Sequence, residues 1–317
     1  MPDKCNNQGR AFEYVCLCTL EQTIKEYRHA EIIKNNSFEA SKKAWKKTSA
    51  EIKSLLTLGA KAAVDILFEL EPLILEEGED CIDLQIQPDS KGKESDVRDI
   101  LISRSQICWE IGLSLKHNHF AVKHSRLAKS LDFGEKWFSH PCSTDYWSEI
   151  KPVFDFLEIE KNKRSLWSGL INKGRDVYRP LLQAFMNEIK RANEEDNEIP
   201  YKMAKYLLGE FDFYKVISVD SKRLTNISAF NINGTLNRSS KTKKSKYTVP
   251  LTELPTRIIK IDFKPLSDNT LELFMDNGWQ FSLRLHNASS KIETSLKFDV
   301  QAIGVPSSIL FINAQWI

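Results

Sequence analysis

Apolar residues recur at helical spacing through roughly the first 75 positions and at strand spacing through the last third, so the chain changes its period as it runs. Phe12, Val15, Cys16 and Leu20 keep a three-to-four spacing, and a second stretch runs from Phe38 through Trp45, Ile52 and Leu56 towards Leu67. Both predict helices with one buried stripe. From Cys81 to Gln87 the period shortens to two, with Ile82, Leu84 and Ile86 on one face of a predicted strand. Pro88 to Lys93 is turn-like. Two further strands are expected near 97–103 and 107–116, then a helix from Phe120 to Leu131 and others near 147–157, 177–193 and 201–209.

The last third reads differently. Ile258 to Phe263 is strand-like, and Leu271–Met275 and Trp279–Leu285 flank Asp276-Asn277-Gly278. That triplet signals a hairpin, because Asn and Gly tolerate positive φ. In its second strand Trp279, Phe281, Leu283 and Leu285 share one face, and Gln280, Ser282, Arg284 and His286 the other. Trp45, Trp137, Trp147 and Trp167 are expected to fill cores. The expected fold is α/β, with a mixed sheet flanked by helices over 1–205 and a β-rich region over 206–317.

A chain of 317 residues can bury a sizeable core as one large domain or two modest ones. Its net charge of +2 does not by itself point to an anionic partner, but the charge is unevenly distributed. No acid occurs between Ile111 and Leu131, where Lys116, Lys123, Arg126 and Lys129 stand with His117, His119 and His124. None occurs from Ser221 to Thr252 either, against Lys222, Arg223, Arg238, Lys241, Lys243, Lys244 and Lys246. Two basic zones of this kind attract phosphate locally. The 6 cysteines show no CxxC pair and no zinc-ligand spacing, so free thiols in a reducing cytoplasm are expected. The N-terminus lacks a signal-peptide core, and no apolar run is long enough to span a bilayer.

Candidate chemistry lies at the leading edge of the first zone. Asp96 and Asp99 lead into the apolar run Ile100-Leu101-Ile102; a short polar turn follows, and a second run, Trp109 to His119, carries Glu110 and Lys116. Carboxylates on adjacent strands can hold Mg²⁺, which takes oxygen ligands, and a nearby lysine can stabilise a phosphorane or orient the attacking water. This is the chemistry of metal-dependent phosphodiester cleavage. If 104–106 is a tight turn, Asp99 falls opposite Glu110 or Ile111, and Asp96 near Ser114. Glu110 and Lys116 then lie six residues apart, about 20 Å along an extended strand, too far to share one centre unless the strand bends. Two arrangements follow. Asp99 or Asp96 works with Lys116 and a carboxylate from elsewhere, for which Glu13 on the first helix is the candidate; or Asp99 and Glu110 bind metal while Lys116 contacts phosphate.

The stretches Asn7 to Glu13, Asp96 to Asp99, Trp109 to Leu127, Asp276 to Ser282 and Ser295 to Asp299 resemble the HaeIII-type family of type II restriction endonucleases, over nearly the whole chain. The resemblance implies a PD-(D/E)xK-type nuclease fold, Mg²⁺ dependence and double-strand cleavage of a short palindrome, GGCC in the type enzyme. It also implies a cognate DNA methyltransferase as functional partner. The chain departs from the acid–x–lysine pattern at Ser114, which leaves the second metal ligand open.

On this reading 1–205 is the catalytic core and 206–317 recognises or clamps duplex DNA. Asp99, Glu110 and Lys116 are the catalytic candidates, with Asp99, Glu110, Glu13 and Asp96 as metal ligands. His117-Asn118-His119 spells HNH but is contiguous, unlike the ββα-metal motif, and is expected to follow the DNA backbone with His124. Lys123, Arg126 and Lys129 share a predicted helix face that tracks phosphates. Arg238, Lys241, Lys243, Lys244 and Lys246 form a mobile basic loop that supplies salt-dependent affinity. Gln280, Arg284 and His286 are candidates for base readout. A palindromic target calls for a homodimer or for sequential nicking by a monomer. The alternative is a sequence-specific DNA-binding protein without hydrolytic activity.

Overall fold

A computed structural model describes residues 2–88, 96–119 and 121–317, and the side chains of these except 2–6 and 124. The chain divides into two units that interleave in sequence: 1–120 with 209–252 and 307–317, and 121–208 with 253–306. The expected linear division near 205 therefore gives way to one in which the chain leaves the first unit and returns twice.

Numbered in chain order, the first unit contains α1 (Pro2–Ile24), β1 (Ala30–Ile33), α2 (Asn36–Lys47), α3 (Ala50–Leu70), β2 (Ile82–Ile86), β3 (Ile100–Arg104), β4 (Trp109–His117), β6 (Phe213–Val219), β7 (Leu224–Phe230) and β12 (Phe311–Gln315). Its strands form one mixed sheet in the order β1-β2-β3-β4-β6-β7-β12. β1/β2 and β4/β6 run parallel and the other pairs antiparallel. The three helices bear out the helical reading of the first stretch. α2 starts where the Asn35 side chain accepts a hydrogen bond from Phe38 N at 2.9 Å, an N-cap. The helices cover the sheet because their stripes are apolar: Phe12, Leu17 and Leu20 of α1 and Leu56 and Leu67 of α3 pack in one buried cluster with Ile100, Ile111, Leu113, Leu115 and Tyr214.

The second unit contains β5 (Ala121–Ala128), α4 (Phe133–Phe138), α5 (Thr144–Asn162), α6 (Arg179–Glu195), α7 (Ile199–Leu208), β8 (Ile258–Phe263), β9 (Thr270–Met275), β10 (Gln280–His286) and β11 (Ser295–Gly304). Its sheet is antiparallel throughout, ordered β5-β11-β10-β9-β8. The predicted hairpin is present, with Asn277 at φ 53° and Gly278 at φ 85°. Trp279, Phe281, Leu283 and Leu285 are fully buried, as the alternation required. Phe185 joins the helices to this sheet, its ring 4.5 Å from Phe133 and 5.0 Å from Phe298. Of the four tryptophans expected in cores, Trp137 is buried, whereas Trp45, Trp147 and Trp167 are half-buried.

One element is of a different type from that expected. The segment after Phe120 is strand β5, not a helix: Ala121, Ser125 and Leu127 are its buried positions, and it pairs with β11 from Ala128↔Ser295 to Ala121↔Gln301. The expected turn over 88–93 lies, from residue 89 on, outside the described residues. Among the described residues no helix is long and apolar enough to cross a membrane, and Cys16, Cys18, Cys81, Cys108 and Cys142 are free thiols.

Candidate active site

The register of β3 on β4 decides which acids can meet. Ile100 lies opposite Leu113 and Arg104 opposite Trp109, so Asp99 falls beside Ser114 rather than beside Glu110 or Ile111. The cause is the connection: Ser105–Ile107 forms a 3-10 turn and Cys108 adopts φ 49°, which makes the link longer than the tight turn expected at 104–106. The Asp99 backbone N donates to Leu113 O at 2.7 Å, extending the ladder by one residue. Its carboxylate then turns across β4. Oδ2 accepts from Leu115 N at 2.6 Å and from Lys116 Nζ at 3.1 Å, and Ser114 Oγ lies 3.5 Å away.

Glu13 completes this cluster from α1. Phe12, its neighbour, is fully buried and lies 6.4 Å, centroid to centroid, from the ring of His117 at the end of β4, which fixes the helix against the strand. Glu13 Oε2 accepts from Ser41 Oγ of α2 at 3.1 Å. Burial, and next the negative charge of Asp99, push the Glu13 carboxyl up to about 8, against the smaller opposing effect of Lys116. A carboxyl whose proton affinity is raised by burial and by a neighbouring carboxylate, with a lysine alongside, suits a divalent cation of hard character. Among the described residues no group of three or more His, Cys, Asp and Glu is gathered for metal binding. A cation here would accordingly be held by two protein carboxylates and complete its shell with water or phosphate, as Mg²⁺ does.

Glu110 and Asp96 are elsewhere. Both are engaged by Arg98: Nε and Nη2 grip the two oxygens of Asp96 at 2.8 Å each, and Nη1 donates to Glu110 Oε1 at 2.8 Å. Burial opposes ionisation of Asp96, but its hydrogen bonds from Arg98 and Gln87 outweigh this and hold the carboxyl below its usual range. To reach Glu110 the Arg98 side chain lies directly over Gly112, where a Cβ would come within 2.0 Å of its Cδ. Glycine at that strand position marks a close approach. The Arg98 guanidinium sits 4.1 Å from the Phe211 ring, in a cleft of about 410 Å³ lined also by Glu110, Asn233, Thr235 and Arg238. The expectation that Asp99 and Glu110 share a metal is thus not met by the geometry, and Asp96 is committed to a structural ion pair.

The predicted nucleic-acid contacts are dispersed. His117 is buried and its Nε2 lies 2.8 Å from Asp220 Oδ2, so it is not presented along a backbone path as expected. His119 is half-buried, and the side chain of His124 is outside the described set. Because β5 is a strand, Lys123 and Arg126 point to opposite faces instead of sharing one. Lys123 Nζ donates to Tyr206 O at 2.5 Å, Arg126 Nη1 donates to Ser295 O at 3.1 Å, and Lys129 pairs with Asp155 at 2.6 Å. The basic loop is fastened rather than loose: Lys241 N donates to Glu76 Oε1 at 2.6 Å, Ser245 Oγ to Glu69 O at 2.9 Å, and Lys246 Nζ reaches Glu69 at 3.0 Å. Arg238 lines the cleft, while Lys241, Lys243 and Lys244 stay exposed. On β10, Arg284 pairs with Asp299 at 3.0 Å, His286 Nδ1 lies 3.1 Å from Asn287 O, and Gln280 packs across Gly304.

Lys215 went unpredicted. It lies in β6, every residue of which is buried, and is in register with Ser114 of β4. Burial, and then the charge of Lys116, lower its pKa to about 7. The signal was present in Phe213-Tyr214-Lys215-Val216-Ile217: a lysine inside an unbroken apolar run has no solvated face to occupy.

Comparison with known proteins agrees with the family resemblance read from the sequence. The family model described as HaeIII restriction endonuclease matches residues 9–306. The type II restriction enzyme HaeIII of Haemophilus aegyptius is 49% identical over 317 residues, covering 100% of this chain and 99% of that protein. No solved structure matches.

Proposed function

This chain belongs to the HaeIII restriction endonuclease family, and on that footing we propose that it cuts both strands of DNA at GGCC, with Glu13, Asp99 and Lys116 as its cleavage site. Membership makes it a type II restriction enzyme, a site-specific deoxyribonuclease. The observation that carries the assignment of residues is the Asp99–Lys116 contact at 3.1 Å, beside a Glu13 carboxyl pushed up to about 8 by burial and by Asp99.

The reaction needs an in-line water, charge stabilisation at phosphorus and a proton for the departing sugar oxygen. The water oxygen bonds to phosphorus, the P–O bond to the sugar breaks, and that oxygen takes up a proton. A divalent ion such as Mg²⁺, held by Glu13 and Asp99, would supply positive charge against the phosphate oxygens and lower the pKa of water. Lys116 is held on Asp99 in the free protein and is placed to shift its ammonium onto the phosphate as negative charge develops there. Ser114 Oγ, in the position that carries an acid in the PD-(D/E)xK pattern, offers a neutral hydroxyl beside Asp99. The second carboxylate comes from α1 instead, which supports a PD-(D/E)xK-type core with its glutamate on the helix.

Exposed Lys241, Lys243 and Lys244 carry the salt-dependent part of DNA affinity in this reading. Gln280, Arg284 and His286, on the polar face of β10, remain the proposed base readers, and His119 and Arg126 contribute phosphate contacts. A palindromic target implies two active sites related by symmetry, hence a homodimer or two successive nicks, and a cognate methyltransferase protects the same sequence. Incubation of the purified protein with phage DNA, in Mg²⁺ and in EDTA, tests the proposal. Discrete Mg²⁺-dependent fragments whose ends fall in GGCC are expected; a smear, or cutting in EDTA, would refute it.

A further inference from the structure

We propose that the cleft at the start of β4 is a nucleotide subsite, in which a base turned out of the DNA stack lies on the ring of Phe211 while Arg238 meets its phosphate. The inference rests on DNA being the substrate, and not on which residues hold the metal. Every residue lining the cleft belongs to the first unit. The Arg98 guanidinium, pinned by Asp96 and Glu110, covers one face of the Phe211 ring at 4.1 Å. Phe211 nevertheless stays 44% exposed, so aromatic surface is left to the cleft. A second wall, Asn233 to Thr235, is held by the buried Asp212. Its Oδ1 accepts from Asn233 N at 2.7 Å, and its Oδ2 accepts from Thr235 N at 2.7 Å and from Thr235 Oγ1 at 2.8 Å. Arg238 is exposed on the rim, and among the described residues its side chain has no ion pair and no hydrogen bond.

The shape and the chemistry of this site select the same ligand. A duplex groove is read by elements that project into it, whereas this site is a hollow of about 410 Å³ and receives a group that projects from the DNA. A bare phosphate has no use for the aromatic wall, and an apolar ligand has none for the guanidinium. A nucleotide uses both: its base stacks on the ring and its phosphate takes the charge. The position also fits. Glu110, on the rim, alternates along β4 with Gly112, Ser114 and Lys116, so the cleft lies over the sheet face that carries Lys116. Six residues of strand are about 20 Å, and that length is roughly six base pairs of duplex. The base in the cleft therefore comes from the target sequence or its immediate flank.

The test is a scan of duplexes with one GGCC site, each lacking the base opposite a single nucleotide, through the site and roughly six pairs of flank. Affinity of the full-length enzyme is measured in Ca²⁺. A nucleotide without its pairing partner leaves the stack at lower cost, so wild type is expected to bind about 10-fold tighter at one position of the scan. Phe211→Leu is expected to lose that gain and Phe211→Tyr, which keeps a ring, to retain it. Arg238→Gln is expected to retain the gain while the slope of log affinity against log salt falls by about one. A scan in which no position tightens overturns the inference, and so does a Phe211→Leu enzyme with the wild-type profile. An unchanged salt slope overturns the part given to Arg238. If Phe211→Leu does not fold, Phe211→Met is read in the same way. Cleavage by Asp99→Ala overturns the cleavage site alone, whatever the scan shows, whereas failure of wild type to bind any duplex overturns both readings.

Discussion

The β3–β4 hairpin carries a charge cluster at each end, and the two are built on opposite principles. At the turn end Arg104 grips both oxygens of Asp80 at 2.7 Å each and donates to Leu73 O at 2.9 Å, while Arg28 reaches Asp80 at 2.5 Å. Hydrogen bonds from Arg104 outweigh the cost of burial and hold the Asp80 carboxyl far below its usual range. At the open end the directions reverse: the Glu13 carboxyl is pushed up and the Lys215 ammonium pushed down, each chiefly by burial and next by a like charge. A cluster that serves the fold is closed, every charge facing its complement. At the open end, the proposed cleavage site, it is the ionised forms of Glu13 and Lys215 that burial and a like charge disfavour, a pattern that recurs at functional sites.

The largest effect expected from breaking this contrast is on the open side. Lys116→Ala should lower single-turnover cleavage by about 1000-fold while leaving DNA affinity in Ca²⁺ near wild type. Next comes the closed side, where Asp80→Asn strands two buried guanidinium groups. Its Tm should fall by roughly 6 °C or more, with full activity per folded molecule at low temperature.

A third prediction joins stability to the site through pH. The Glu13 carboxyl titrates higher in the folded than in the unfolded chain, from 4.5 up to about 8. Its contribution to stability is therefore complete below about 4.5 and is lost as pH rises through about 8. In EDTA, Glu13→Gln should accordingly unfold at a higher temperature than wild type at pH 9, the gain vanishing at pH 4, and it should cleave poorly in Mg²⁺ at either extreme. A Tm difference independent of pH would contradict the burial of that carboxyl against Asp99. The smallest effect is expected from Glu110→Gln, which loosens one hydrogen bond of Arg98 and should leave the cleavage rate near wild type.

Much of this was legible in the chain, and the failures have physical causes. The β9–β10 hairpin could be read because strict alternation and an Asn-Gly turn are local signals. Strand β5 was read as a helix because Lys123, Arg126 and Lys129 happen to lie three apart; its pairing with β11, some 170 residues away by register Leu127↔Leu296, is invisible to any local pattern. The same non-local return hid the interleaving of the two units. Asp99 and Lys116 stand out in the sequence as candidates and the fold brings them into contact, but their pairing depends on the length of the 105–108 connection, and a tight turn assumed there moves Asp99 to the wrong partner. Glu110 and Asp96 were plausible ligands by composition; only the path of Arg98 across Gly112 reveals that they serve an ion pair.

The central claim is that Asp99, and not Glu110, anchors cleavage. Its most direct test compares Asp99→Ala with wild type on phage DNA in Mg²⁺, alongside duplex binding in Ca²⁺. Intact DNA with binding retained is the result this account predicts. Wild-type fragments from Asp99→Ala would contradict it.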